Sequence, residues 1–117
     1  MVRHPFIANM NYAFQDNKNL YLVTDLVAGG DLEYHFTKKR KFTEEQAKFV
    51  MANVIIALEY LHSQGVLHRN LTPRSIIFDS RGYIKLTDFG FARFWQRDNS
   101  QDISGTPGFM APEIMFR

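Results

Sequence analysis

The 117-residue sequence contains no cysteine, carries little net charge and has no long apolar run. Without cysteine the chain can form neither a disulfide framework nor a thiolate metal site. The formal net charge of +2 is too small a surplus to favour nucleic acid or an anionic membrane as a partner. The most apolar segment, residues 49–61, is too short to span a bilayer and includes Asn53 and Glu59. We therefore expect neither nucleic acid nor membrane among the partners.

The first residues, MVRHPFIANMN, also lack the apolar core of a secretory signal. Together with the lack of cysteine, this favours a cytoplasmic location. The basic stretch KKRK at 38–41 leaves a nuclear location open, although a solvated helix end would use the same residues. What the chain does have is an ordinary globular balance, 45% hydrophobic and 22% charged, at a length that suits one domain.

The first third of the chain predicts a strand pair followed by a short helix. The strands are expected at 9–14 and 18–27, because both stretches are rich in apolar or β-branched residues and a polar turn joins them. Gly29 and Gly30 end the second strand. Asp31 is a suitable N-cap for the helix that follows.

The clearest element is a helix over 43–63. Thr43 and Gln46 form a capping-box pattern at its start, and Gly65 is a natural terminator just past its end. Apolar residues recur at helical spacing and predict the buried stripe: Ala47, Val50, Met51, Val54, Ile55, Leu58 and Leu61. A hairpin of strands at 76–78 and 83–86 follows, and the chain turns irregular after Asp88. This order predicts an α+β fold centred on the long helix.

Three motifs then appear in order: HRNLTPRS at 68–75, DFG at 88–90 and GTPGFMAPE at 105–113. Together they resemble the catalytic domain of eukaryotic protein kinases, from its catalytic loop to its activation segment. The forms DFGFAR and LVAGGDL most resemble the AGC group of serine/threonine kinases. The resemblance implies a partial kinase fold, with 1–27 as the last upper-lobe strands and hinge and 28–117 as the lower lobe through APE.

By this resemblance the family's activity is ATP-dependent phosphoryl transfer to protein serine or threonine. It implies ATP and Mg²⁺ as cofactors, and a protein or peptide as substrate or regulatory partner. Asp88 would hold Mg²⁺ bridging the nucleotide phosphates, because a hard ion prefers carboxylate oxygens. Phe89 would pack inward, Gly90 would permit the turn, and His68 would pack against the DFG region. The sequence contains no glycine-rich phosphate loop, so we expect poor nucleotide affinity in this chain alone.

The catalytic loop departs from the family pattern at three positions. Asn70 stands where the family has its aspartate base, and an amide cannot usefully accept a proton. Thr72 stands where these kinases carry a lysine, so a cation is lost where phosphate charge must be stabilised. Ser75 stands where the family has an asparagine, the second metal ligand, and a hydroxyl is a weaker ligand with shorter reach. These changes favour a pseudokinase or inactive fragment, with a scaffold or regulatory role.

Other interpretations remain open at this point. The chain could belong to a longer kinase that is active or weakly active, and Asp88 and the activation segment support that alternative. A decayed gene fragment without function is a third possibility.

The resemblance also assigns a lower wall of the nucleotide pocket. Asp25 to Val27 would be the hinge, whose backbone binds adenine, and Thr24 would gate the space behind it. Asp31 would lie near the ribose, and Ile77 would form the floor. Each has a structural alternative: strand packing for Val27 and Ile77, and helix capping for Asp31.

Four residues are assigned to the activation segment and its anchor. Asp102 lies three residues before Gly105, about where relatives carry a phosphorylated threonine, and Arg69 is the usual partner of that phosphate. We hypothesise that the Asp102 carboxylate pairs with Arg69 and holds the segment partly ordered. A solvated loop acid is the alternative. Thr106 would belong to the substrate-docking stretch and Glu113 to the APE motif.

Overall fold

A computed structural model describes residues 2–97 and 101–116. The helices are α1 (Leu32–Lys39), α2 (Glu44–Ser63) and α3 (Pro112–Met115). The strands are β1 (Met10–Gln15), β2 (Leu20–Thr24), β3 (Val66–Leu67), β4 (Ile76–Phe78), β5 (Ile84–Leu86) and β6 (Arg93–Phe94). They pair in three antiparallel two-stranded sheets, β1–β2, β3–β6 and β4–β5. The predicted α+β class is confirmed.

The β1–β2 hairpin is held at its turn by the Asp16 carboxylate, whose Oδ1 accepts the backbone N–H groups of Lys18 and Asn19 at 2.7 Å. Side chains of this kind commonly close turns by bonding the backbone two or three residues on. The second strand ends at Thr24, three residues earlier than predicted. Every residue of β1 and β2 is exposed.

Helix α1 begins and ends as its sequence predicts. Asp31 Oδ1 accepts the Tyr34 N–H at 2.7 Å, which satisfies one of the free donors at the helix start. The helix ends at Arg40, whose φ is +61° and whose N–H is donated to Phe36 O. Lys38 and Lys39 therefore lie in the exposed last turn, where cations suit the helix dipole. This confirms that the basic stretch forms a solvated helix end.

Helix α2 carries the predicted capping box, with Gln46 N–H donated to Thr43 Oγ1 and Thr43 N–H donated to Gln46 Oε1. Its buried face is narrower than the predicted stripe. The prediction of burial was right for Val50, Val54 and Leu61, and Leu58 is partly buried. It was wrong at Ala47, Met51 and Ile55, which are exposed. Asn53 and Ala57 are buried instead, because they continue the i, i+3, i+4 row of Val50.

The core forms where β4–β5 and residues 6–8 pack on α2. Leu86 is joined to the N-terminal segment by two backbone bonds, Leu86 N–H to Phe6 O and Ala8 N–H to Leu86 O. The fully buried side chains at this junction include Ile7, Leu61, Ile84 and Leu86. None of the helices in the described part of the chain has the length and apolar character needed to cross a bilayer.

The β3–β6 pair was not predicted, because two-residue strands show no period-2 pattern. Phe94 pairs with Val66, and the Trp95 N–H is donated to Gly65 O at 2.6 Å. A second close contact fixes the start of α1. Gly29 lies so near the Phe78 carbonyl that a Cβ there would be 2.3 Å from the oxygen, so only glycine fits. These contacts bring α1, the loop after β3 and the segment after β5 together.

Candidate functional site: the loop of residues 68–75

His68 is the first residue of the loop that follows β3, and its side chain is buried. Its Nε2 lies 2.8 Å from Thr87 O, and because a carbonyl only accepts, Nε2 carries the proton. Its Nδ1 then accepts the Asn70 N–H at 3.4 Å. Burial lowers the pKa of His68, more than the Thr87 carbonyl and the Asp88 charge raise it. The ring also meets Phe89 edge-on at 5.1 Å, which confirms the predicted packing against the DFG motif.

Asn70 is buried, and both ends of its side-chain amide are occupied. Nδ2 donates to Asp88 Oδ2 at 3.3 Å. Oδ1 accepts the Thr106 hydroxyl at 2.7 Å. The residue at the predicted base position therefore connects the DFG motif to the GTPGFMAPE segment.

Asp88 projects from a backbone in the left-handed region, with φ of +61°. A short 3-10 turn over Phe89–Phe91 follows it. Phe89 packs against the core, as predicted. The prediction for Gly90 needs correction, because the left-handed residue of this turn is Asp88 and Gly90 lies inside the 3-10 turn. An aspartate tolerates this conformation better than most residues, at some cost in strain.

Ser75 lies in the floor of the loop, away from solvent. Its hydroxyl donates to Thr72 O at 2.9 Å and accepts the Thr72 N–H at 3.0 Å. Thr72 itself is buried. The predicted metal ligand Ser75 is therefore used to close the 3-10 turn over Pro73–Ser75. Its hydroxyl is inaccessible to an ion at Asp88.

Arg69 anchors the segment on the other side of the loop. Its Nη1 donates to Asp102 Oδ2 at 2.7 Å, and its Nε donates to Phe91 O at 2.8 Å. The hypothesised ion pair is thus present, with the Arg69 side chain 14% exposed and that of Asp102 47% exposed. Arg69 adopts φ of +65°, so both this residue of the loop and Asp88 beside the loop are left-handed and not glycine.

Gly105 lets the segment approach the loop closely. Its φ is +130°, and a Cβ there would lie 3.1 Å from Met110 Cγ and 3.3 Å from Arg69 O. This approach places the neighbouring Thr106 hydroxyl on Asn70. Glu113, the last residue assigned to the segment, lies in the first turn of α3.

The predicted nucleotide wall is only partly brought together. Asp31 and Ile77 form an antiparallel bridge, so these two residues are adjacent. Thr24 ends β2, and Val27 lies between β2 and α1. The Asp25 N–H is donated to Asn9 O at 2.9 Å, and Asp25 O accepts the Thr24 hydroxyl at 3.5 Å, so both backbone groups of this residue have partners within the chain.

The Asp25 side chain has a structural role instead. Its carboxylate accepts the Asn9 side-chain and backbone N–H groups, the Asn11 amide and, at 3.4 Å, Lys85 Nζ. The Asn9 bonds, with smaller effects from Asn11 and Lys85, lower the pKa of Asp25 to about 2. This network ties the β1–β2 hairpin to β5.

A cavity of about 550 Å³ lies beside the loop and is lined by Arg69, Asn70, Asp102 and Thr106, among others. A second, of about 600 Å³, lies between α1, α2 and the β4–β5 turn. None of the six residues assigned to nucleotide binding lines either cavity.

A magnesium ion at this site would need oxygen ligands from the side chains near Asp88. The described residues contain no group of three or more His, Cys, Asp or Glu side chains that could hold a metal. Asp88 offers one carboxylate, and its Oδ2 faces the donor end of Asn70. An N–H group cannot ligate a cation, and Ser75 is buried. The described residues therefore supply one of the two protein ligands that the resemblance implies, Asp88 without Ser75.

Comparison with known proteins decides the family. The sequence profile of the protein kinase domain matches residues 1–117, the whole chain. The chain belongs to the protein kinase domain family. Among curated proteins, a Dictyostelium discoideum protein named "Probable serine/threonine-protein kinase" is 48% identical over 116 residues, which are 97% of this chain.

Two further relatives support the AGC-like serine/threonine assignment of this kinase domain. The cAMP-dependent protein kinase catalytic subunit of Dictyostelium discoideum is 46% identical over 97% of the chain. Human ribosomal protein S6 kinase alpha-3 is 43% identical over 99% of it. The chain spans about a quarter or less of the length of these relatives, with 25%, 17% and 16% of each covered.

The kinase motifs identified the loop, but the hydrogen bond and the ion pair that connect it to other segments were not predicted from the sequence. The hydrogen bond from Thr106 to Asn70 joins residues 36 positions apart, and no spacing rule predicts it. The ion pair between Arg74 and Glu33, which fastens the loop to α1, was also missed. An acidic residue in the first helical turn is a general feature of helices, so Glu33 gave no specific signal.

Proposed function

We propose that this kinase-family chain is a pseudokinase that acts by binding a protein and transfers phosphate poorly or not at all. The observation that carries the proposal is the state of Asn70. Its amide stands at the base position and is hydrogen-bonded at both ends, to Asp88 and to Thr106. An amide does not take a proton from a substrate hydroxyl, and losing a general base costs about 10²–10⁴ in rate.

The charge of the site supports the same proposal. Thr72 occupies the lysine position and is buried, so it offers no cation to a transferring phosphate. Catalysis of phosphoryl transfer depends almost entirely on positioning and on electrostatic stabilisation of that charge. The cations of the loop are already paired, Arg69 with Asp102 and Arg74 with Glu33.

We also propose that the chain binds ATP and Mg²⁺ only weakly. Thr24, Val27, Asp31 and Ile77 would contact the nucleoside, and bound ATP would supply the phosphoryl group in any residual transfer. With Ser75 buried and bonded to Thr72, Asp88 alone would hold a phosphate-bound Mg²⁺, so that support would be weak. We therefore propose that nucleotide contributes little to what the chain does.

A protein or peptide partner is proposed as the main ligand, with the chain in the cytoplasm. Residues 1–27 would form upper-lobe strands and hinge, and residues 28–117 the lower lobe through APE. The hairpin offers an exposed, largely apolar surface, and such surfaces commonly mark interaction sites.

A second candidate is a weakly active serine/threonine kinase within a longer native chain. The observation in its favour is the anchored segment, which Arg69 and Asn70 hold at Asp102 and Thr106. Such a segment would present a substrate even where the chemistry is slow.

The two candidates are separated by a transfer assay with labelled Mg-ATP and a mixed basic peptide. We expect the wild-type chain and its Asp88→Ala variant to give the same background. Transfer by the wild type clearly above Asp88→Ala would overturn the pseudokinase proposal in favour of the weak kinase. The same pair should be measured in the longest native protein, with Asn70→Asp as the variant that restores a carboxylate at the base position.

A further inference from the structure

We propose that the Asn70 amide takes the place of a bound cation: it holds Asp88 and Thr106 in one hydrogen-bonded chain and keeps divalent cations off Asp88. The three residues form an unbroken line, Asp88 to Asn70 at 3.3 Å and Asn70 to Thr106 at 2.7 Å. This proposal rests on the proposed function because it concerns the same site. It differs in what it predicts, which is the affinity of Asp88 for cations and not the rate of phosphate transfer.

The orientation of the amide follows from its neighbours. A carboxylate only accepts hydrogen bonds, so the group that faces Asp88 Oδ2 must be the Nδ2 donor. The Thr106 hydroxyl can donate, so it satisfies Oδ1 on the other side. A flipped amide would set Oδ1 against the Asp88 carboxylate and lose that bond. Asn70 is thus held in one orientation in a buried position.

A carboxylate at position 70 would behave in the opposite way. It could not donate to Asp88, and two negative charges at this separation would repel each other and attract a cation. The neutral amide removes both effects, because it adds no negative charge and donates an N–H to Asp88 Oδ2. Asp88 is therefore held in the site without an ion.

A cation at Asp88 would face two obstacles. To use both carboxylate oxygens it would have to displace the Nδ2 donor from Asp88 Oδ2, and at Oδ1 alone it would have a single protein ligand near the positive end of the amide dipole. If Asn70 Oδ1 were to become a ligand of the cation, the Asn70 amide would have to turn, and its bond to the Thr106 hydroxyl would break. Cation binding and the Asn70–Thr106 bond therefore oppose each other, and such a coupling is reciprocal.

The segment would stay attached when the Thr106 bond is cut. The Arg69–Asp102 ion pair anchors it independently, on the other side of Gly105. Removing the Thr106 hydroxyl should accordingly free the Asn70 amide without releasing residues 102–106 as a whole.

The test is a titration of the full chain with Mn²⁺ alone, followed by calorimetry and by the relaxation of water protons. We expect no saturable Mn²⁺ site that depends on Asp88 in the wild type. Asn70→Asp should bind Mn²⁺ about tenfold more tightly or better, because a second carboxylate joins the site. The double variant Asn70→Asp with Asp88→Asn should lose that gain. Saturable binding by the wild type that Asp88→Asn abolishes would overturn the proposal.

Thr106→Val is the second variant, and it adds no charge. It frees Oδ1, so we expect a several-fold rise in Mn²⁺ affinity with the circular dichroism spectrum unchanged. Unchanged affinity in this variant, or in a folded Asn70→Asp chain, would contradict the proposed coupling. If Asn70→Asp does not fold, Thr106→Val decides alone. The transfer assay fails or succeeds separately, because a chain can transfer no phosphate and still bind Mn²⁺ at Asp88.

Discussion

The β1–β2 hairpin and the loop of residues 68–75 differ in the kind of side chain that each exposes. The hairpin leaves large apolar side chains in solvent, with Tyr12 70%, Leu20 77% and Leu22 68% exposed. The loop buries polar ones, and Asn70 and Ser75 are among them. In both regions the usual division between apolar interior and polar surface is reversed.

The reversal has a different cause in each region. The polar groups of the loop are buried because they bond one another, as Ser75 does with the Thr72 backbone and Asn70 with Asp88 and Thr106. Satisfied buried groups of this kind specify a single arrangement. The hairpin is held mainly by its own ladder and by the Asp25 network. The loop is therefore fixed by contacts between distant segments, whereas the hairpin leaves its side chains in solvent.

The largest expected difference between the two regions comes from shortening a leucine. Leu61→Ala, in the fully buried face of α2, should lower the free energy of unfolding by about 2–5 kcal/mol. Leu22→Ala, on the exposed hairpin, should change it by about 0.5 kcal/mol or less. Urea denaturation followed by circular dichroism measures both. Equal losses would mean that the hairpin is packed as tightly as the core.

Removing one hydroxyl tests the polar side of the comparison. Ser75→Ala leaves the Thr72 N–H without its buried acceptor, although Thr72 O keeps the Ser75 backbone N–H, so we expect a loss of about 1–3 kcal/mol in the free energy of unfolding. The matched control is Ser63→Ala, whose hydroxyl donates to Tyr60 O at the exposed end of α2. That variant should cost about 0.5 kcal/mol or less. A small effect at Ser75 would show that the 3-10 turn does not depend on this pair.

The loop should also lose stability in mild acid, through His68. Burial lowers its pKa from 6.5 in the folded chain, so the unfolded chain takes up the proton first as the pH falls. The stabilisation is complete above 6.5 and declines below it. Protonation would also place a proton on Nδ1, which accepts the Asn70 N–H.

The measurement for His68 is the urea midpoint at about pH 7.5 and about pH 5, taken on the wild type and on His68→Gln. We expect a smaller pH dependence in the variant. His4 titrates in the same direction, since burial lowers its pKa too, so the variant should retain part of the effect. An identical pH dependence in both proteins would rule out His68 as a source.

The same contrast marks what the sequence could predict. Local chemistry was sufficient for the α2 capping box, the Asp31 N-cap and the β4–β5 strands, because each depends on residues within a few positions. The motifs placed Asn70 at the base position and paired Arg69 with Asp102. The burial of Ser75 and the line from Asp88 through Asn70 to Thr106 could not be predicted, since they arise from distant segments meeting in the fold.

The smallest effect is expected at the Asp25 network, which joins the hairpin to β5. Because its pKa is about 2 in the folded chain against the usual 3.8, this carboxylate contributes stability above pH 3.8, lost as the pH falls towards 2. The Asp25 and Lys85 side chains are partly exposed, and ion pairs near the surface contribute about 1 kcal/mol or less. Asp25→Asn should therefore loosen the hairpin slightly at neutral pH, seen as faster amide exchange of Asn9. Asp16→Asn is the control, since it weakens the hairpin turn but leaves the link to Lys85. If both variants speed exchange at Asn9 equally, the Asp25 network is not what fastens the exposed hairpin to the buried core.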